Sequence, residues 1–324
     1  MSLSSSACPA VLSELPDPPG TSVPSEPFGA DAALRAVPNV GRPVGVFDSG
    51  VGGLTVLQAM LRRMPHEDYL YLGDTARLPY GAKSRETVIR YAARVSAFLV
   101  EQRVKALVIA CNTATSAALP ALRAAYPHIP VIGVIEPGAE AACRASVSGH
   151  IAVIATPATI RDGSYPAAIL RRRPEARVKS LACPLFVPMA EDGLFEGPLA
   201  EGLAARYLSA IFPVVTGQDD GRGEGQGGER DRPDCLVLGC THYPLLAGAI
   251  RRVVGKGVTL VDSAATTAEA ACRVLTERGL ARSARSGGGT CRFFTTDDPE
   301  RFARTGRLFL DMPLGGDDVT LVDL

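Results

Sequence analysis

The chain has 324 residues, 46% of them hydrophobic and 21% charged, and its 34 basic side chains balance 34 acidic ones. That is the make-up of a globular protein long enough for two ordinary domains, and a neutral total leaves no electrostatic footprint for nucleic acid or an anionic membrane. No stretch approaches the roughly 20 apolar residues of a membrane span, and the start lacks the basic and apolar regions of a secretory leader, so a cytoplasmic protein is expected. The eight cysteines are then not expected to pair, and no C-x-x-C or zinc-spaced Cys/His group occurs, so no metal is expected.

Residues 1–41 are rich in Ser and Pro without apolar periodicity, and a disordered tail is expected there. Order begins at the apolar run 44–47, a buried strand by its continuity. A helix is expected over 54–64, a strand over 69–72, a long helix over 84–102, a strand over 106–110, a helix to about 126 and a strand over 131–134. The pattern restarts with strands at 151–155 and near 178–181 and a helix near 198–212. The basic run Arg171-Arg172-Arg173, with Arg177 close by, reads as a solvated helix end. Residues 217–232, full of Gly, Asp, Glu and Arg, bury no core and are expected to form a flexible surface loop. Strands at 235–239 and 258–262, a helix over 265–278 and a small strand and helix beyond 291 complete the series. Continuous apolar strands alternating with helices predict an α/β fold of doubly wound parallel sheets covered on both faces.

One echo stands out: Leu107-Val108-Ile109-Ala110-Cys111-Asn112-Thr113 parallels Leu236-Val237-Leu238-Gly239-Cys240-Thr241-His242. It suggests two similar half-proteins related by approximate two-fold pseudo-symmetry, with the site in the cleft between them. Ligands of parallel sheets bind beyond the carboxyl ends of the strands. Four polar clusters sit there: Asp48-Ser49-Gly50, Asp74 with Pro79-Tyr80-Gly81, Cys111-Asn112-Thr113 and Cys240-Thr241-His242. A cysteine that ends a strand and opens a helix meets partial positive charge, which favours thiolate. The plainer alternative for each is a small residue at a tight turn. Two thiols in matching contexts suit racemisation, in which one base removes a proton from one face of a carbon acid and a second group returns one to the other. Asp48 and His242 are titratable neighbours of those thiols. Asn112, Thr113 and Thr241 either cap helices or hold a carboxylate. Gly50-Val51-Gly52-Gly53 fails the G-x-G-x-x-G pattern, because Thr55 takes the third glycine's place, and reads as a close backbone approach to a small ligand.

Together Phe47-Asp48-Ser49-Gly50-Val51-Gly52-Gly53-Leu54, Gly73-Asp74-Thr75, Pro79-Tyr80-Gly81, Ala110-Cys111-Asn112-Thr113-Ala114, Val134-Ile135-Glu136-Pro137-Gly138 and Gly239-Cys240-Thr241-His242-Tyr243-Pro244 resemble the glutamate racemases over about residues 44–280. The resemblance implies cofactor-independent interconversion of L- and D-glutamate, supplying D-glutamate for peptidoglycan. It implies an inserted second domain: 42–138 plus 250–324 would form the first and 139–249 the second. It assigns Cys111 to the D-enantiomer with Asp48 in support, and Cys240 to the L-enantiomer with His242 in support, and it adds Glu191 near the second cysteine. Substrate contacts would fall on Asp48, Ser49, Tyr80, Gly81, Asn112, Thr113, Thr241 and His242. Members of the family form homodimers in differing arrangements, and some bind a peptidoglycan-precursor activator through N-terminal extensions. The neighbouring readings are an aspartate racemase or another two-cysteine racemase and, in a different class, a non-catalytic binding protein for an acidic amino acid.

Overall fold

The computed structural model describes residues 40–212, 232–283 and 287–324. The expected tail up to residue 39 and the expected loop up to residue 231 lie outside these residues. Among the described residues the chain begins with strand β1 (Val44–Asp48), helix α1 (Leu54–Arg63), β2 (Tyr69–Gly73), α2 (Arg85–Glu101), β3 (Ala106–Ile109), α3 (Asn112–Ala125) and β4 (Val131–Gly133). These four strands lie parallel in the order β2-β1-β3-β4. Side chains alternate across them, as the strand period of two requires. Val44, Val46, Ala106 and Val108 join one core with Leu54, Leu57 and Met60 of α1. Phe47, Leu70, Leu107 and Ile109 join a second core with Val88, Val95 and Leu99 of α2 and Ala118 and Leu122 of α3. With both faces covered, each fully buried Leu, Ile or Val contributes about 1.5–3 kcal/mol.

Helix α4 (Ile135–Ala145) leads to the second lobe. It is absent from the elements expected above; its Pro137 falls in the first helical turn, where a proline costs no hydrogen bond. The second lobe holds β5 (His150–Ala155), α5 (Pro157–Asp162), α6 (Ser164–Arg172), β6 (Arg177–Ala182), α7 (Phe186–Glu191), α8 (Gly197–Leu208), β7 (Cys235–Gly239), α9 (Ala247–Val254) and β8 (Thr259–Asp262). Its parallel strands run β6-β5-β7-β8. Counted from its own first strand, this is the order of the first sheet, so the echo around the cysteines is a repeated topology. The basic run does end a helix: Arg171 and Arg172 close α6 and both pair with Glu136 of α4.

The expected boundary at residue 250 placed 250–262 with the first domain. The strand Thr259–Asp262 pairs instead with β7. An apolar run announces a strand but not its neighbour, so this pairing was not readable from the sequence. After β8, α10 (Ser263–Glu277) packs on α1 and α4. The chain then adds β9 (Cys291–Thr295), α11 (Pro299–Gly306) and β10 (Val319–Leu321), with β9 against β2 and β10 against β9. No described helix is long and apolar enough to cross a membrane.

Candidate active site

The cleft between the lobes contains a cavity of about 340 Å³, within the usual size range of small-molecule sites. Cys111 and Cys240 both line it. Cys111 follows β3 and Cys240 follows β7, the third strand of each repeat. Their local settings differ. Cys111 is the N-cap of α3, and its Sγ accepts from the backbone N–H of Ala114 at 3.4 Å. It also donates to Ser49 Oγ at 3.6 Å. The helix terminus does not decide its acidity: burial pushes the thiol up, and the negative charge of Asp48 pushes the same way. Cys240 opens no α-helix; a short 3₁₀ turn over Tyr243–Leu246 precedes α9.

Of the residues expected at the site, Asp48, Ser49, Tyr80, Gly81, Asn112, Thr113, Thr241 and His242 all line the cavity with the two cysteines. Asp48 closes β1. Its Oδ2 accepts from the N–H groups of Gly50 at 3.3 Å and Gly53 at 2.9 Å, while its buried Oδ1 has no protein partner. The Asn112 Oδ1 accepts from the hydroxyl of Tyr165 at 2.8 Å, and its buried Nδ2 is likewise without a protein partner. The structure thus leaves one acceptor and one donor unused at the cleft, and buried polar atoms are rarely left so. Tyr80 donates to Asp74, which also holds Arg77 at 2.8 Å. Asp74 itself stays out of the cavity lining and anchors the Tyr80 loop.

The Gly50–Gly53 turn does not play the part expected of it. A Cβ on Gly52 would stand 2.3 Å from His242 Cε1, and one on Gly53 would stand 2.5 Å from Asp48 Cβ. These glycines make room for two site side chains, not for a ligand.

His242 is buried and joined on both sides. Its Nδ1 lies 3.7 Å from Cys240 Sγ, and its Nε2 lies 3.1 Å from Glu191 Oε1. Burial opposes charging the ring, but the contacts with Cys240 and Glu191, with Asp48 adding its charge, hold its pKa up at about 10. The ring also packs edge-on against Phe309, 5.4 Å between centroids, from the segment after α11. Glu191 does not line the cavity; it stands behind His242, on the far side from Cys240. The order is therefore thiol, imidazole, carboxylate.

Sequence reasoning passed over part of the wall. Thr156, Pro157, Arg161, Pro184, Val187 and Pro188 also line the cavity. Thr156 follows β5 as Ser49 follows β1 in the other repeat, so the repeat itself was a signal for it. Its hydroxyl lies 3.0 Å from that of Thr113, joining the lobes across the cleft. Pro184, Val187 and Pro188 carried no such signal, because apolar wall residues look like any core segment. The seven cysteines among the described residues are free thiols. No described cluster of three or more His, Cys, Asp or Glu side chains has the geometry to hold a metal ion.

Two similar parallel-sheet lobes with a thiol from each lining one cleft define a class, and residues 45–210 match the profile of the Asp/Glu/hydantoin racemase family. A glutamate racemase of Geobacter metallireducens is 46% identical over 283 residues, covering 87% of this chain and 97% of that protein. Among solved structures, the Francisella tularensis glutamate racemase in complex with D-glutamate is 35% identical with a TM-score of 0.75, covering 87% of this chain and 98% of that one. The Escherichia coli glutamate racemase, solved with L-glutamate and the activator UDP-MurNAc-Ala, is 28% identical with a TM-score of 0.66, covering 87% and 99%. The chain belongs to the glutamate racemase family and is an isomerase of that kind.

Proposed function

We propose that this chain interconverts L- and D-glutamate without a cofactor, by proton transfer between two bases, Cys111 and Cys240, on opposite faces of the α-carbon. The observation that carries this reading is the arrival of both sulfurs in one cavity from the ends of equivalent strands. A thiolate takes the α-proton and becomes a thiol, leaving a planar carbanion. The opposite thiol returns a proton to the other face and becomes the thiolate. Protons and charge balance over the two half-steps. Cys111 serves the D-enantiomer and Cys240 the L-enantiomer, following the family resemblance. Asp48 stands beside Cys111. His242 is charged through neutral pH and supplies a counter-charge 3.7 Å from Cys240, with Glu191 holding the ring from behind.

The unused Asn112 Nδ2 and Asp48 Oδ1 match a carboxylate and an ammonium group of an amino acid. Ser49, Tyr80, Gly81, Thr113 and Thr241 complete the contact surface. The relatives' substrate makes glutamate the choice over aspartate. D-Glutamate made in the cytoplasm would supply peptidoglycan synthesis and so cell-wall growth and shape. A homodimer, and activation by a peptidoglycan precursor such as the one bound by the Escherichia coli relative, are part of the same proposal.

Incubation with L-glutamate in heavy water, with no added cofactor, tests it. Optical rotation should decay while deuterium enters the α-position. Turnover of aspartate alone would move the chain to the sister activity, and no exchange with either would refute racemisation. Cys111→Ser and Cys240→Ser should each lower the rate by about 100-fold or more, the usual weight of a lost acid–base group, with circular dichroism unchanged. Full activity in either variant would rule out the two-thiol scheme. Running the assay with and without UDP-MurNAc-Ala, on protein sized by sedimentation, checks the activator and the dimer.

A further inference from the structure

Asn112 opens α3 in the first lobe and is 2% exposed. A carboxamide is two-faced: one end accepts and the other donates two hydrogen bonds. Here the accepting end is engaged, 2.8 Å from the hydroxyl of Tyr165, and the donating end has no protein partner. Tyr165 belongs to α6 of the second lobe and is 1% exposed. Its ring is fixed between two glycines: a Cβ on Gly239 would stand 3.0 Å from Cε2, and one on Gly138 would stand 3.2 Å from Cε1. Burial keeps the phenol protonated, so it is a permanent donor. No other described acceptor meets this buried hydroxyl, so its proton is satisfied only when the carboxamide turns its oxygen that way.

We propose that Tyr165 is a positioning residue that sets the polarity of the Asn112 carboxamide, so that its NH₂ group and not its oxygen faces a substrate carboxylate across the cleft. The ligand in this statement rests on the glutamate reading above; the positioning rests on the contact. Removing the phenol leaves Asn112 Oδ1 without a buried donor. The amide then turns freely, and an oxygen facing a carboxylate repels it. Because the contact is made by a lobe other than the one carrying Asn112, substrate recognition at this point depends on the lobes being in register.

Tyr165→Phe keeps the ring and removes one oxygen. It should raise KM for both glutamate enantiomers about tenfold, the weight of one hydrogen bond to a charged group, with kcat nearly unchanged. In an Asn112→Ala background the same change should add nothing. An unaltered KM, or losses that simply add, would overturn the inference. A second readout needs no turnover. The chain has only two asparagines, Asn39 and Asn112, so selective ¹⁵N labelling gives two side-chain amide pairs, and Asn112→Ala assigns them. In Tyr165→Phe the Asn112 pair should shift, and an unmoved pair would overturn the positioning. If the wild-type protein leaves glutamate untouched, the glutamate reading falls while this arm still decides the role of Tyr165.

Discussion

His242 has two neighbours of opposite consequence. Cys240 on one side belongs to the cavity, and Glu191 on the other does not. With its pKa raised from an ordinary 6.5 to about 10, the ring is protonated in the folded protein where an unfolded chain would release the proton. The sign follows by linkage: this contribution to stability is fully present below about pH 6.5 and is lost as pH rises through about 10. Urea unfolding across that window should show it, and NMR titration of the ring should place its midpoint near the upper end. Glu191→Gln removes the charge at 3.1 Å and should move the midpoint down and the alkaline fall in activity with it. A midpoint near 6.5 in the wild-type protein would refute the assignment. Cys111 shows the converse balance: a helix N-terminus is present, yet burial and Asp48 outweigh it.

At the scale of elements, the turn between β1 and α1 decides how close the two halves of the site come. Thr55 Oγ1 donates to the Thr241 carbonyl at 3.0 Å, which binds this turn to the loop after β7. Gly52 is the point of closest approach, and the His242 ring it faces is itself buried and pinned by Glu191 and Phe309. A Cβ there would also stand 2.5 Å from Thr241 Oγ1, so Gly52→Ala should displace the ring, that hydroxyl, or both. We expect racemisation to fall by about 100-fold, the cost of roughly an ångström of misplacement in a catalytic group. Overpacking should also destabilise the fold by about 1–3 kcal/mol. Steady-state kinetics beside a thermal melt separate the two effects; a fully active variant would show that the turn has slack. The motif was legible as a glycine-rich approach, but what approached was not, because the partner of Gly52, His242, lies 190 positions further along the chain.

At the scale of the molecule, a buried ion pair fixes the return of the chain to its first lobe. Lys105, just before β3, donates to Glu67, just before β2, and both side chains are almost wholly buried. Lys105 Nζ also reaches the carbonyl of Val40 at 2.8 Å, and Glu67 Oε1 accepts the backbone N–H of Arg282 at 2.8 Å. One pair thus ties down the start of the described chain, the edge of the central strands and the path from α10 to β9. Glu67→Ala leaves a buried ammonium without its partner and should cost about 3–5 kcal/mol in equilibrium urea denaturation. The ion pair of Arg85 in α2 with Asp162 in α5 is more exposed, and its removal should cost no more than about 1 kcal/mol. Equal losses in the two variants would contradict this ranking.

The amino-acid sequence by itself determined the strand and helix alternation, the parallel sheets, the two equivalent cysteines and most of the polar cavity lining. Those features are local: an apolar run, a small residue, a polar residue at a strand's carboxyl end. Only the tertiary structure decided that β8 pairs with β7, that Glu191 stands behind His242 and outside the cavity wall, and that Gly52 accommodates the His242 side chain. It alone brought Tyr165 and Phe309 to the site. Each of these depends on which distant segments meet, and that is set by long-range packing, on which a run of neighbouring residues carries no record.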